Sequence, residues 1–130
     1  MHRWLRELAL CFAAGAAGGF VKGLLVWGCN YYAASAVIGA YLASALHPGG
    51  IYPRVVWGGL YGFLFLLPPA RGSLLMSGLL WGGVASLLQL AILPLLMRGG
   101  LHGSLTLILA TLVLNSIWGC ATALLLRWTR

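Results

Sequence analysis

Carboxylates are almost missing from this chain. Its 130 residues contain no aspartate and a single glutamate, Glu7. General acid–base catalysis, Mg²⁺ binding and proton coupling ordinarily need a carboxylate in the site, so all three are disfavoured. Charge of either sign is scarce, at 7% of residues against roughly a quarter in an average soluble domain. Cysteine occurs only as Cys11, Cys29 and Cys120, without C-x-x-C or any other metal-ligand spacing. G-x-S-x-G, H-E-x-x-H and phosphate-cradling glycine loops are absent as well. The expectation is a protein that is no enzyme and carries neither cofactor nor metal.

The net charge of +7 does not read as a nucleic-acid surface. Arg3, Arg6, Lys22, Arg54, Arg71, Arg98, Arg127 and Arg130 stand singly, with no cluster or aromatic interleaving. Most lie at the edges of apolar runs, where basic side chains meet lipid headgroups.

What the chain has in abundance is apolar surface and glycine. Hydrophobic residues make up 62%, glycine numbers 19, and mean hydropathy is +0.97. Too few polar groups remain to cover a soluble surface, so the reading is an all-α integral membrane protein of one domain, residues 1–130, with the lipid bilayer as its first partner. The basic start and Ala-rich run through Ala17 are laid out like a secretory signal. Apolar residues nevertheless continue to Cys29, long enough to span, so a retained helix is expected.

Residues 8–29, 74–97 and 105–126 are long enough to cross a hydrocarbon core as helices of about 20 residues. Between them, residues 31–46 give 16 uncharged residues before the breaker His47-Pro48-Gly49-Gly50, and 51–67 give 17 more. Pro53 suits a first helical turn, where its missing N–H costs nothing, and Pro68-Pro69 ends that helix. If 31–46 is an interfacial or re-entrant helix and 51–67 spans, four spans place both termini on one side. Arg3, Arg6, Arg71, Arg127 and Arg130 then face the cytoplasm against Arg54 and Arg98 outside, a five-to-two bias in the expected direction. If both short segments span, the split is four to three, and a re-entrant hairpin leaves no clear excess. Four spans in a bacterial inner membrane, with cytoplasmic termini, is the preferred layout.

Each long apolar stretch carries one bulky-apolar-Trp-Gly triplet: Val26-Trp27-Gly28, Val56-Trp57-Gly58, Leu80-Trp81-Gly82 and Ile117-Trp118-Gly119. Trp27 and Trp57 fall at the outer level expected of interfacial belt residues. Trp81 and Trp118 fall nearer the inner side, where an indole beside a glycine would lie over a close backbone crossing. Small residues recur every fourth position at Cys11, Gly15, Gly19 and Gly23, at Gly58 and Gly62, and at Gly78, Gly82 and Ser86. Such stripes let helix backbones approach closely, within one chain or between copies, where apolar burial gives no driving force.

The polar residues inside the spans are few. Lys22 lies roughly 10 Å from the outer end of the first span, and an intramembrane charge is a functional hypothesis by default, although its stem also allows snorkelling to the headgroups. Gln89 lies in the outer half of its span and Asn115 near mid-membrane, with Ser86 and Thr111 one turn away. Lys22, Gln89 and Asn115 are therefore a candidate polar cluster in the outer half of the bundle. The competing reading is ordinary interhelical hydrogen bonding. His47 and His102 fall in outer loops and lack a third ligand.

In length and number of spans the chain resembles two families of small bacterial transport proteins, the small multidrug-resistance exporters and the fluoride channels. The exporters use a glutamate inside the first span, where this chain has Lys22. Thr111-Leu112-Val113-Leu114-Asn115 resembles the asparagine-bearing helix of the fluoride channels over five residues, but their Thr-Phe-Ser-Thr run is missing. Residues 52–59 resemble bacterial inner-membrane proteins without an assigned role.

Two functions remain open. One is a non-catalytic packing or accessory subunit of a homo-oligomer or larger membrane complex. The other is a small channel or transporter for an anion or an uncharged solute, working through Lys22, Gln89 and Asn115.

Overall fold

A computed structural model of the protein describes residues 2–31, 48–67, 72–97 and 105–130, with side chains described except at 29–31, 48–50, 93–97 and 106–107. All of the secondary structure described there is helical. Helix α1 runs His2–Tyr31, α2 Pro48–Gly62, α3 Leu74–Met97 and α4 Leu105–Thr129; a 3-10 segment, Phe63–Leu66, prolongs α2. Three stretches are long and apolar enough to cross a membrane: His2–Gly28, Leu74–Ile92 and Ile108–Thr129.

Three of the helices extend beyond their apolar runs, whereas α3 coincides with residues 74–97. Helix α1 begins at His2 rather than at residue 8, because nothing in His2-Arg3-Trp4-Leu5-Arg6-Glu7 breaks a helix. Helix α4 continues past residue 126 to Thr129. Helix α2 starts at Pro48, which places Pro53 inside the helix rather than in its first turn. Pro53 has no N–H, so one rung of the backbone ladder is missing at Gly49. The 15 α-helical residues of α2 reach about 22 Å, and the steeper rise of the 3-10 segment brings the pair to about 30 Å. Residues 32–46 of the expected interfacial or re-entrant helix lie outside the described residues, as do His47, His102 and Pro68-Pro69.

Helix α1 is the centre of the bundle. Helices α2 and α4 both pack on it, and α3 packs on α4. Each helix is antiparallel to its neighbour. Low numbers of α1 meet high numbers of both partners, as when Glu7 pairs with Arg130 and Gly15 meets Gly62.

Small residues set this order. Toward α2, α1 presents Cys11, Gly15 and Gly19. A Cβ on Gly15 would collide with the Gly58 carbonyl and come within 2.8 Å of Gly62 Cα; one on Gly19 would meet the Arg54 carbonyl. Toward α4, α1 presents a second edge at Ala14 and Gly18, where a Cβ would lie 2.5 Å from Thr122 Oγ1 and 2.9 Å from the Trp118 ring. Helices α3 and α4 close in the same way. A Cβ on Gly78 would come within 2.7 Å of Cys120 Cα, and one on Gly82 within 2.8 Å of Ser116 Cα. All these stripes are engaged within one chain. Gly23 differs: among the described residues nothing lies within 4 Å of its Cβ position.

The Trp-Gly doublets follow from the same geometry. Adjacent helical residues point about 100° apart, so one position reaches one neighbour while the next admits another. Gly119 lies against the backbone of Gly78 and Gly82 on α3, while Trp118 turns to the opposite side. There its Nε1 donates to the Gly15 carbonyl at 2.9 Å, and its ring meets Tyr61 and Phe65 edge-on. Trp81 is likewise buried, against Phe65, while Gly82 meets α4. Trp27 and Trp57 are about half exposed. Gly58 meets α1, but no described residue lies near the Cβ position of Gly28. Three of the four doublets are thus crossing devices among the described residues.

Candidate functional site

Lys22, Gln89 and Asn115 come from α1, α3 and α4. They meet because Lys22 continues the Ala14–Gly18 edge of α1 by one more turn. That edge faces α4, so the lysine stem projects along the α1–α4 seam. Lys22 Nζ donates to Asn115 Oδ1 and, at 3.4 Å, to Gln89 Oε1. Asn115 Nδ2 donates to Gln89 Oε1 and to Ser86 Oγ, both at 3.1 Å. Ser86 Oγ in turn donates to the Gly82 carbonyl at 2.9 Å, with the Thr111 carbonyl at 3.4 Å.

The cluster is graded in burial. Ser86 and Asn115 are buried, at 0% and 4% exposure, whereas Lys22 and Gln89 are half-buried and form its accessible end. Polarity therefore runs inward from a cation, through two amides, to a hydroxyl at the α3–α4 crossing. Its only formal charge is Lys22, and the one carboxylate side chain in the sequence is engaged elsewhere. Glu7 Oε2 accepts from Arg130 Nε at 3.1 Å, at the opposite end of α1. Arg54 on α2 lies close enough for its charge to act on Lys22. Such a site can hold an anion through Lys22, or a neutral solute through the amides.

At the other end Arg130 ties three elements together. Besides Glu7 on α1, its Nη2 reaches the Phe65 carbonyl at 3.4 Å and Cys11 Sγ at 3.5 Å. Nothing in the local sequence around Glu7 or Arg130 announces this pairing across the whole chain. Gly18 and Gly119 were also missing from the expected stripes; the signal was the four-residue spacing Ala14–Gly18–Lys22, and the doublet at Trp118. Cys11 and Cys120 carry free thiols, and among the described residues no three His, Cys, Asp or Glu side chains gather as a metal would need. Trp81 Nε1 is a buried nitrogen without a hydrogen-bond partner among the described residues.

No family model, curated protein or solved structure matches this chain. Its functional reading therefore stands on its own residues.

Proposed function

We propose that the chain is a four-span inner-membrane protein with cytoplasmic termini that passes a small anion or uncharged polar solute across the bilayer at the Lys22–Gln89–Asn115 cluster. The membrane reading is supported by where the apolar residues point. At most 39% of any of the three long apolar stretches is buried inside the bundle. Large apolar side chains such as Phe20, Leu24, Leu87, Leu109 and Val113 are exposed, as a hydrocarbon solvent would favour. The length of α2 with its 3-10 extension, about 30 Å, supports a fourth span. The cytoplasmic placement of the termini rests on the five-to-two distribution of basic residues.

One observation carries the functional reading. A half-buried lysine is held in the seam of an apolar bundle by two amide oxygens, while the one carboxylate side chain of the sequence pairs with Arg130. Placing a charge at such a depth is expensive, and a packing contact needs only neutral groups. An anion arriving at Lys22 would supply the missing counter-charge. The test is flux through proteoliposomes of chloride, nitrate and glycerol, comparing wild type with Lys22→Met. Flux of at least one of these above protein-free vesicles, abolished by the substitution, is expected. Equal flux in both proteins, or none in either, would remove the proposal.

A second reading, a non-catalytic accessory subunit of a homo-oligomer or larger membrane complex, is favoured by a different feature of the same cluster. Its hydrogen bonds form a closed set in which Asn115 serves Ser86 and Gln89 while receiving Lys22, as interhelical glue does. Gly15, Gly19, Gly58, Gly62, Gly78 and Gly82 meet neighbouring helices of the same chain, so this reading rests on the cluster rather than on them. Native mass spectrometry from mild detergent separates the two: a stable oligomer or a co-purifying subunit supports the second, and a monomer that conducts supports the first.

A further inference from the structure

We propose that the cleft between the start of α3 and the end of α4 binds the phosphate headgroup of an anionic lipid. The cleft is open on one side and has a volume of about 390 Å³, within the range of small-ligand sites. It lies at the end of the bundle marked by the Glu7–Arg130 pair, away from Lys22.

Two chemistries line it. Arg127 and Arg130 supply guanidinium groups and Ser73 and Ser77 hydroxyls, while Phe65 and Leu126 form a buried apolar floor. Arg130 is held by Glu7 and by the Phe65 carbonyl, which fixes it as a wall. Arg127 is exposed on the last turn of α4. With Glu7 engaged by Arg130, no carboxylate side chain in the chain is left for it. A guanidinium fork matches phosphate oxygens two at a time.

The apolar rim decides between a lipid and a free anion. Phe65 and Leu126 are already buried by the protein, so the apolar gain lies at the exposed side chains beside the cleft, where a glycerolipid buries its backbone and upper acyl carbons and a bare phosphate gains nothing. Beside the cleft, Leu75 and Met76 on the first turn of α3 expose 62% and 66% of their surface, continuing the apolar path outward. The ligand class is thus a lipid with an anionic phosphodiester, preferred over a zwitterionic one of equal chain length.

Native mass spectrometry of the full chain in non-ionic detergent tests this with added phosphatidylglycerol or phosphatidylcholine of matched acyl chains. Wild type is expected to retain phosphatidylglycerol about ten-fold more strongly, the scale of one charged hydrogen bond. Arg127→Gln should erase that preference with unchanged helicity by circular dichroism. Arg3→Gln, which removes an exposed charge from the same end of the bundle outside the cleft, should leave it intact. Equal retention of both lipids by wild type, or undiminished preference in Arg127→Gln, overturns the proposal. So does an equal loss in Arg3→Gln, which would mean diffuse surface charge. Displacement of phosphatidylglycerol by excess inorganic phosphate would mean a free-anion site and also overturns it.

Discussion

Replacing Gly15 by alanine would push one methyl group into the backbone of α2. The new Cβ would overlap the Gly58 carbonyl and lie 2.8 Å from Gly62 Cα and 3.1 Å from Gly62 N. All three neighbours are backbone atoms, so no rotamer change relieves the contact. Restoring ordinary separation requires α1 and α2 to part by nearly 1 Å, and a gap of that size forfeits a quarter to a half of the dispersion energy between facing atoms. The same shift lengthens the Trp118 Nε1 bond to the Gly15 carbonyl, 2.9 Å in the native bundle. Overpacking of this kind costs about 2–3 kcal/mol, and the helix preference of alanine over glycine returns about 1 kcal/mol, leaving a net loss of about 1–2 kcal/mol. Gly23→Ala is the matched control. Its Cβ meets nothing described within 4 Å, so it should be neutral or stabilise by up to about 1 kcal/mol. The assay is reversible unfolding in mixed micelles, followed by circular dichroism and tryptophan fluorescence. If Gly15→Ala is as stable as Gly23→Ala, the close α1–α2 crossing is wrong.

Three further outcomes follow from the same contacts. Asn115→Ala strips Lys22 of an acceptor and Ser86 of a donor, and should cost about 2–3 kcal/mol of unfolding free energy; the double variant with Lys22→Met should recover most of that loss in a double-mutant cycle. Trp118→Phe keeps the ring and deletes the N–H to Gly15, for a loss of about 1 kcal/mol in the same micelle assay. Glu7→Gln breaks an ion pair whose side chains are a third exposed, so the change should stay under about 1 kcal/mol and shrink further at high salt.

The four-residue spacing of small side chains made the crossing faces of α1, α2 and α3 legible, because periodicity fixes which residues share a face. It could not say which helix meets which face. Gly23 obeys the spacing but meets no described residue. It lies about 12 Å along α1 from Gly15, and helices crossing at a glycine stripe diverge over that length. The face toward α4 was harder to see because Ala14 and Gly18 sit beside the more prominent glycine stripe. A polar cluster could be placed by depth alone, since Lys22, Gln89 and Asn115 fall at similar heights on alternating helices. The ladder of bonds through Ser86, and the Arg130 contacts with Glu7 and Phe65, depend on side-chain reach between distant segments, and no local pattern encodes that.

The most direct measurement of the central claim is the distance between Lys22 and Asn115 in lipid bilayers, by magic-angle-spinning nuclear magnetic resonance with ¹⁵N in the lysine ammonium and ¹³C in the asparagine carboxamide. A hydrogen bond from Nζ to Oδ1 places those nuclei about 3.5 Å apart, and a strong dipolar coupling is the predicted result. Absence of measurable coupling, with the lysine ammonium extended to the headgroups instead, would contradict it and leave the bundle without an assembled polar site.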